Sequence, residues 1–431
     1  MNPNAAKPKI VVLGGGFAGL ESAYALRAAL PDQADITLIS DRSSFLFRPN
    51  TIYIPFGMDE DKLLVDIVKP ALRKGIRFTE ARAQDLDPVK RTLSWERDGG
   101  IQRELYDYLV VATGAKPRLD EVPGLVENGH VLGSAADMLR LRASLKQVLE
   151  RAQRGKTQQI LLALPPNAAY SAPLYEMALM LDHFLREKDV RGRVMLTFVT
   201  CEASYIEAFG PLLHDLLLER FEELRIAHEP SVMLSKVEAG AAHFTNRGAL
   251  PFDLLITLPP AGAAVPFPAL PADKRGYLST KLATRRVADL DEVFAAGDAS
   301  DFPVKQAFLA LLQADAIAEG IAADIQGRLP RFVFEPVSQF VMEEFDTGLF
   351  AQTPFSLDDG LRVEADSPDY KAGASPLWRI GKRMLGTAVP WRFSRGEPFN
   401  AGIPSAGIGL GIKALTSMTA TTRRRDTTPA H

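Results

Sequence analysis

Cysteine is almost missing from this chain, with Cys201 alone among 431 residues. One thiol excludes an intrachain disulfide and a multi-cysteine zinc or iron–sulfur site, and it makes a reducing compartment the simpler expectation. Long apolar runs are missing too: none reaches the roughly 18 residues a spanning helix needs. Residues 1–9 leave little room for a cleavable leader before the first strand, so the expected location is cytoplasmic, with peripheral attachment to the inner face of the cell membrane left open. Neither charge sign is in excess, 50 basic residues standing against 53 acidic for a net charge of -3, which argues against an extended nucleic-acid surface. His130, His183, His214, His228 and His243 have no metal-ligand spacing, and no metal is expected.

What is present is enough apolar material, 46% of residues, to bury more than one core, so two or three domains are the natural expectation. Residues 9–13 read as a buried parallel strand. Gly14-Gly15-Gly16-Phe17-Ala18-Gly19 follows at once, then an alanine- and leucine-rich helical stretch to about Leu30. In that setting Gly14 permits the tight turn, Gly16 the close approach of a pyrophosphate and Gly19 close helix packing, while the helix N-terminus answers phosphate charge. A second strand over 34–40 ends at Asp41, where a carboxylate can accept hydrogen bonds from both ribose hydroxyls of an adenosine. Residues 42–50 are too aromatic for an ordinary solvent loop, and Arg42 or Arg48 there can face phosphate.

Residues 106–112 read as a strand ended by Thr113-Gly114. A second α/β unit is expected beyond it, with strands at 159–163, 193–200 and 252–258 and a helix over 173–186. Where its glycines should stand, the sequence has Leu164-Pro165-Pro166-Asn167-Ala168-Ala169-Tyr170-Ser171-Ala172. Two prolines and no glycine remove turn freedom and a backbone donor, so a conventional second dinucleotide site is not expected. Val293-Phe294-Ala295-Ala296-Gly297-Asp298 then reads as a strand ending in an acid able to bind a ribityl or phosphate-linked hydroxyl. A helix over 304–325 follows, ending near Gly327.

These segments, with Pro173-Leu174-Tyr175-Glu176 and Pro303-Val304-Lys305-Gln306, resemble the two-dinucleotide-domain flavoproteins, in particular the branch of sulfide:quinone oxidoreductases, flavocytochrome c sulfide dehydrogenases and type II NADH dehydrogenases. The resemblance covers about residues 8–330. It implies an α/β fold of two Rossmann-like domains of three-layer ββα type plus a small C-terminal α+β domain. Residues 1–115 and 286–330 would form the two parts of an FAD-binding domain, 116–285 the second Rossmann-like domain with its crossover segments, 331–415 the C-terminal domain and 416–431 a disordered tail. FAD is the implied cofactor. Gly14, Gly16, Phe17, Ala18, Gly19, Asp41, Arg42, Arg48 and Ala83 would surround its ADP half; Thr113, Gly114, Gly297 and Asp298 would meet the nucleotide from the adjoining strands; Lys305 and Gln306 would lie near the isoalloxazine. Lys305 and Tyr170 are the catalytic candidates, Lys305 by stabilising negative charge on reduced flavin, Tyr170 by lining an altered pocket. A solvent-exposed helix-start lysine and an aromatic packed under Tyr175 are their structural alternatives.

In the sulfide-oxidising relatives a cysteine follows the Pro-Pro-Asn turn, and Tyr170 stands at that place. Persulfide capture needs a thiolate that tyrosine cannot replace, and Cys201 reads as a structural residue at a strand end. The expected function is therefore FAD-dependent oxidoreduction without the cysteine centre, from an unidentified donor to a quinone or other small acceptor. NADH:acceptor oxidoreduction and a non-catalytic flavin-binding partner protein are the rivals. In the C-terminal third, short strands are expected over 331–340 and 345–350. The basic-aromatic stretch 376–393 suits either a membrane surface or a subunit interface, its Gly381, Gly386 and Pro390 weigh against a long helix, and a homodimer is a further option.

Overall fold

Ile10, Val11, Val12 and Leu13 are apolar without alternation, as a strand covered on both faces requires. In the computed structural model, which describes residues 6–97, 99–357 and 360–400, the Lys9–Leu13 strand lies at the centre of a five-stranded parallel sheet. Its neighbours are Asp35–Ser40 on one side and Tyr108–Val111 on the other; Arg77–Glu80 closes one edge and Val293–Ala295 the other. Two helices, Phe17–Ala29 and Ala307–Gln326, cover one face. Their alanines and glycines keep the facing surfaces shallow, and Gly327, at φ 64°, ends the second helix in the left-handed conformation glycine favours. A three-stranded antiparallel meander, Arg82–Asp87, Thr92–Arg97 and Gly100–Leu105, follows the last strand of the first half; Ala83, Leu86 and Leu93 join the core on the sheet's other face.

The second unit repeats the plan. A parallel sheet runs His130–Val131, Leu254–Thr257, Gln158–Leu164, Val194–Thr200 and Ala227–Glu229, with the meander Leu234–Glu238, Ala241–Phe244 and Leu250–Pro251 beside it. The helix Ala135–Gln153 opens on a capping box in which Ser134 and Asp137 satisfy one another's backbone amides. Two sheets of this kind, each with helices and a meander, give the α/β class and doubled Rossmann-like plan expected from sequence.

The C-terminal third departs from expectation in register. Residues 331–336 form no strand; the antiparallel sheet is Val337–Glu343, Gly348–Ser356 and Lys371–Ser375. Its central strand is buried along almost its whole length, which removes the alternation that would mark its ends. The stretch expected to resist helix is a 19-residue helix, Pro376–Ser394. Gly386 sits where it does because a Cβ there would lie 2.9 Å from the Asn50 side chain, so it is a contact point with the Arg48–Phe56 3-10 segment and not a helix break. The tail expected at 416–431 lies outside the described residues.

Candidate functional site

The glycine elbow joins the Lys9–Leu13 strand to the Phe17–Ala29 helix. Gly14 has φ 118°, and a Cβ there would lie 2.2 Å from the Ala112 carbonyl oxygen; only glycine lets the two parallel strands stay this close. A Cβ on Gly16 would meet nothing within 4 Å, so its bare backbone faces open space at the helix N-terminus, where an anion is favoured. Gly19 is different. Its Cβ would lie 1.8 Å from the Gly14 carbonyl oxygen, which makes it a packing residue of the elbow; it is the one expected cofactor contact that does not reach the cavity wall.

That cavity has a volume of about 980 Å³, at the upper end of ligand pockets. Its wall begins at Gly14, Gly16, Phe17 and Ala18 and takes in Asp41, Arg42, Arg48, Ala83, Thr113 and Gly114. Asp41 follows the Asp35–Ser40 strand with its side chain 48% exposed, and Arg42 Nε donates to it over 3.0 Å. Arg42 is thus paired with Asp41 and turned largely to solvent, while Arg48 stands exposed at the rim. The aromatic run before it folds inward, Phe45 and Phe47 packing on Phe17 with ring centroids 4.9 and 5.6 Å away. Thr113 Oγ1 is buried on the wall with no hydrogen-bond partner, an orphan that a bound polar ligand would satisfy.

The Val293–Ala295 strand delivers Gly297 and Asp298 to the same wall. Gly297 has φ 62°, and a Cβ there would come within 3.2 Å of Ala18; its amide is held by the buried Gln313, whose Oε1 accepts it at 2.9 Å. The Asp298 carboxyl has no hydrogen-bond partner among the described residues, and burial holds it above the usual carboxylate range against the downward pull of Lys305 and Arg48. Lys305 is 9% exposed, so it is not a solvent-facing lysine. Its ammonium donates to the Ser300 carbonyl and sits 3.8 Å from the Tyr277 ring centroid. Burial pulls it down to about 8, opposed by Asp298 and Asp301. Gln306 precedes the Ala307–Gln326 helix; its Nε2 donates to the Tyr170 hydroxyl at 3.4 Å and its Oε1 accepts from Ser338 at 2.7 Å. Tyr170 packs edge-on against Phe209 and Phe340, not under Tyr175, whose partners are Phe198 and Phe221.

Sequence reasoning missed two residues at the far end of the cavity. Glu176, in the buried Ala172–Glu187 helix, accepts from Lys382 of the C-terminal helix and from the Glu343 amide at 3.0 Å. Burial raises its carboxyl above the ordinary range, with Lys382 opposing. Glu343 in turn accepts from Tyr53, and from Arg379 at 2.8 Å. The available signal was an acid inside the apolar first half of that helix; Lys382 was masked by its basic-aromatic surroundings. Cys201 is absent from the cavity wall, and burial pushes its thiol up to about 11, the reverse of a reactive thiolate.

Residues 8–158 match the family described as pyridine nucleotide-disulphide oxidoreductase. That match takes in about a third of the chain, and the relatives the chain resembles include enzymes of the sulfide:quinone oxidoreductase type. It is 33% identical over 220 residues to the sulfide-quinone reductase of Aquifex aeolicus, an alignment taking in 49% of each chain, so the match spans about half the length of that relative. It is 23% identical over 383 residues to the mitochondrial sulfide:quinone oxidoreductase of Dictyostelium discoideum, covering 84% of this chain and 81% of that one. The crystal structure of the Aquifex aeolicus sulfide:quinone oxidoreductase superposes with a TM-score of 0.81 at 21% identity, over 99% of both chains. The likeness of fold to that structure thus extends through the C-terminal third.

Proposed function

We propose that the chain is an FAD-dependent oxidoreductase that moves electrons from a donor other than thiol-captured sulfide to a quinone or another small acceptor. One observation carries the reading: a single cavity runs from the glycine elbow to Lys305 and Gln306, presents an unpartnered Asp298 and an orphaned Thr113 hydroxyl, and has no cysteine on its wall. The residues fit a flavin dinucleotide, with Gly14 and Gly16 at the pyrophosphate, Asp41 at the adenosine and Asp298 along the ribityl chain. Bound there, the isoalloxazine would supply reversible electron transfer.

The chain's own groups set the electrostatics. Lys305 holds a buried positive charge beside Asp298 and stabilises negative charge arising at that end of the cavity. Tyr170 and Phe340 wall the space between the second unit and the C-terminal sheet, and Glu176 with Lys382 forms a protonatable pair on the same wall. A carboxyl that burial holds above its ordinary range keeps its proton more firmly than an exposed one and is suited to hand it to an acceptor oxygen. The relatives named as quinone oxidoreductases support a quinone as that acceptor.

A peripheral membrane seat accompanies this reading. No helix among the described residues is long and apolar enough to cross a membrane. Leu377, Ile380, Met384 and Trp391 are nonetheless 44%, 54%, 66% and 51% exposed, and their spacing sets them on one face of the Pro376–Ser394 helix. Arg395 lies over Trp391 on that face, 4.9 Å from its ring centroid. Basic and aromatic side chains together suit a headgroup layer.

The deciding experiment is the visible spectrum of the purified protein, followed by anaerobic mixing with a panel of reductants and quinones. Bound flavin that is reduced by a donor and reoxidised by a quinone is expected. Colourless, folded protein without affinity for FAD would sink the reading, and bound flavin without turnover would leave a cofactor-binding protein in its place.

A further inference from the structure

The two α/β units can be compared position by position through strand register. In the first, Leu13 pairs with Ile39 and the acid Asp41 stands two residues beyond that partner. In the second, Leu164 pairs with Thr200, and two residues beyond stands Glu202. By the same register Gly14, Gly15 and Gly16 correspond to Pro165, Pro166 and Asn167. The second unit therefore has the ribose-binding acid of a dinucleotide fold in place, although its turn has lost the glycines.

The acid is turned inward. Glu202 Oε1 accepts from the Ser171 hydroxyl at 2.9 Å, and Oε2 accepts from the Tyr175 hydroxyl at 2.6 Å and the Thr200 hydroxyl at 3.0 Å. Ser171 precedes the Ala172–Glu187 helix, so this carboxylate brings negative charge to the helix N-terminus, the place of the pyrophosphate in a loaded unit. The turn is closed as well. Asn167 has φ 63°, its carbonyl accepts from the Ala261 amide at 3.0 Å, and Ala168 bridges to Pro260.

The loop after Glu202 is bent to match. Ile206 adopts φ 49°, ψ 45°, a region β-branched residues avoid, and its amide donates to the Tyr175 hydroxyl at 3.0 Å. That conformation is strained, and the complete burial of Ile206 and Phe209 offsets the strain. It sends Phe209 against Tyr170 and Phe340, 5.9 and 4.7 Å away, two residues of the cavity wall on the side of the second unit. One tyrosine hydroxyl thus ties the acid to the strained loop.

We propose that the second unit occupies its own nucleotide seat, with Glu202 as latch, Tyr175 as its tie and Phe209 as plug, so that this chain excludes NADH and NADPH and takes electrons from donors that reach the cavity by another route. The inference deepens the flavin reading above, but direct nucleotide binding tests it without flavin colour.

Titration calorimetry of the purified protein with NADH and with NADPH is expected to give no saturable heat up to about 1 mM, the upper end of ordinary KM values, and anaerobic mixing is expected to leave any flavin band unchanged. Saturable binding below that concentration, or bleaching by either nucleotide, would overturn the proposal; a colourless protein would defeat the flavin reading alone and leave the calorimetric result decisive here. Hydrogen exchange in Tyr175→Phe and Glu202→Ala tests the latch, with protection at the Ile206 amide expected to fall roughly tenfold or more while protection in the first sheet is unchanged. Exchange at Ile206 equal to wild type in both variants would show that Glu202 holds nothing in place.

Discussion

Lys305 shows how a single side chain couples folding to chemistry. Its ammonium is buried against Tyr277 and the Ser300 carbonyl, and with burial drawing it down to about 8 it is charged below that pH and neutral above. Any step that uses its positive charge therefore slows as pH rises through about 8. Lys305→Met is expected to keep most of any bound flavin, to lower the donor-reduction rate by roughly 100-fold or more, the scale of a lost electrostatic contact, and to erase the inflection near pH 8; an inflection that survives in the variant would assign it to another group. The cavity-facing identities of Gly16, Asp41 and Asp298 were legible because each ends or follows a strand in a spacing with a physical meaning. Gly19 was legible as a packing glycine, but its expected place around the ADP half was not met at the cavity wall; the partners of Lys305 were not legible at all, since Tyr277 and Ser300 meet it through a loop with no periodicity.

At the scale of elements, the helices Phe17–Ala29 and Ala307–Gln326 bring together two buried acids that neither sequence pattern flagged. Glu21 accepts from the amides of Phe399 and Asn400 at 2.7 and 3.1 Å, and Asn400 Nδ2 donates to Asp315 at 2.7 Å. Phe399 is part of the cavity wall, so this pair pins the end of the described chain against the site. Burial raises both carboxyls, Glu21 further raised by Asp315, and Asp315 is pushed up to about 6. Because these folded-state values exceed the unfolded ones near 4, the folded state loses stability relative to the unfolded as pH rises through about 6. Asp315→Asn keeps an acceptor for Asn400 and removes one charge. It is expected to melt a few degrees above wild type at pH 8, a gain on the order of 2 kcal/mol or less, with the difference closing toward pH 4; equal melting at both pH values would exclude the charge pair as the cause. Elements with a strong signal of their own, such as the alanine-rich helices and the doubly buried strands, were read correctly to within a few residues. The C-terminal strands and the Pro376–Ser394 helix were not, because their sequences answer to neighbours: the fully covered Gly348–Ser356 strand has no polar face, and Gly386 and Pro390 look like breaks until Asn50 is placed beside the helix.

For the molecule as a whole, the exposed apolar face of the Pro376–Ser394 helix lies on the same helix that carries Lys382, Leu385 and Val389 to the cavity wall. One side of a single element would then rest on lipid while the other meets the site, a short path for an apolar acceptor. Flotation with vesicles containing anionic lipid is expected for the wild type at low salt and to weaken as salt screens the basic residues; Ile380→Ser combined with Met384→Ser is expected to abolish it while flavin content stays the same. Retention of flotation in that double variant would remove the helix from the membrane reading.

The pairing of Val293–Ala295 with Tyr108–Val111 also fixes an order of events during synthesis. The glycine elbow leaves the ribosome early, yet the sheet edge that brings Gly297 and Asp298 against it follows some 180 residues after Val111, with the whole second unit in between. The first unit must wait with an open sheet edge while the second folds, so the cavity's two walls meet only late in biogenesis, and a chain stalled before residue 293 would present an unguarded strand to its neighbours.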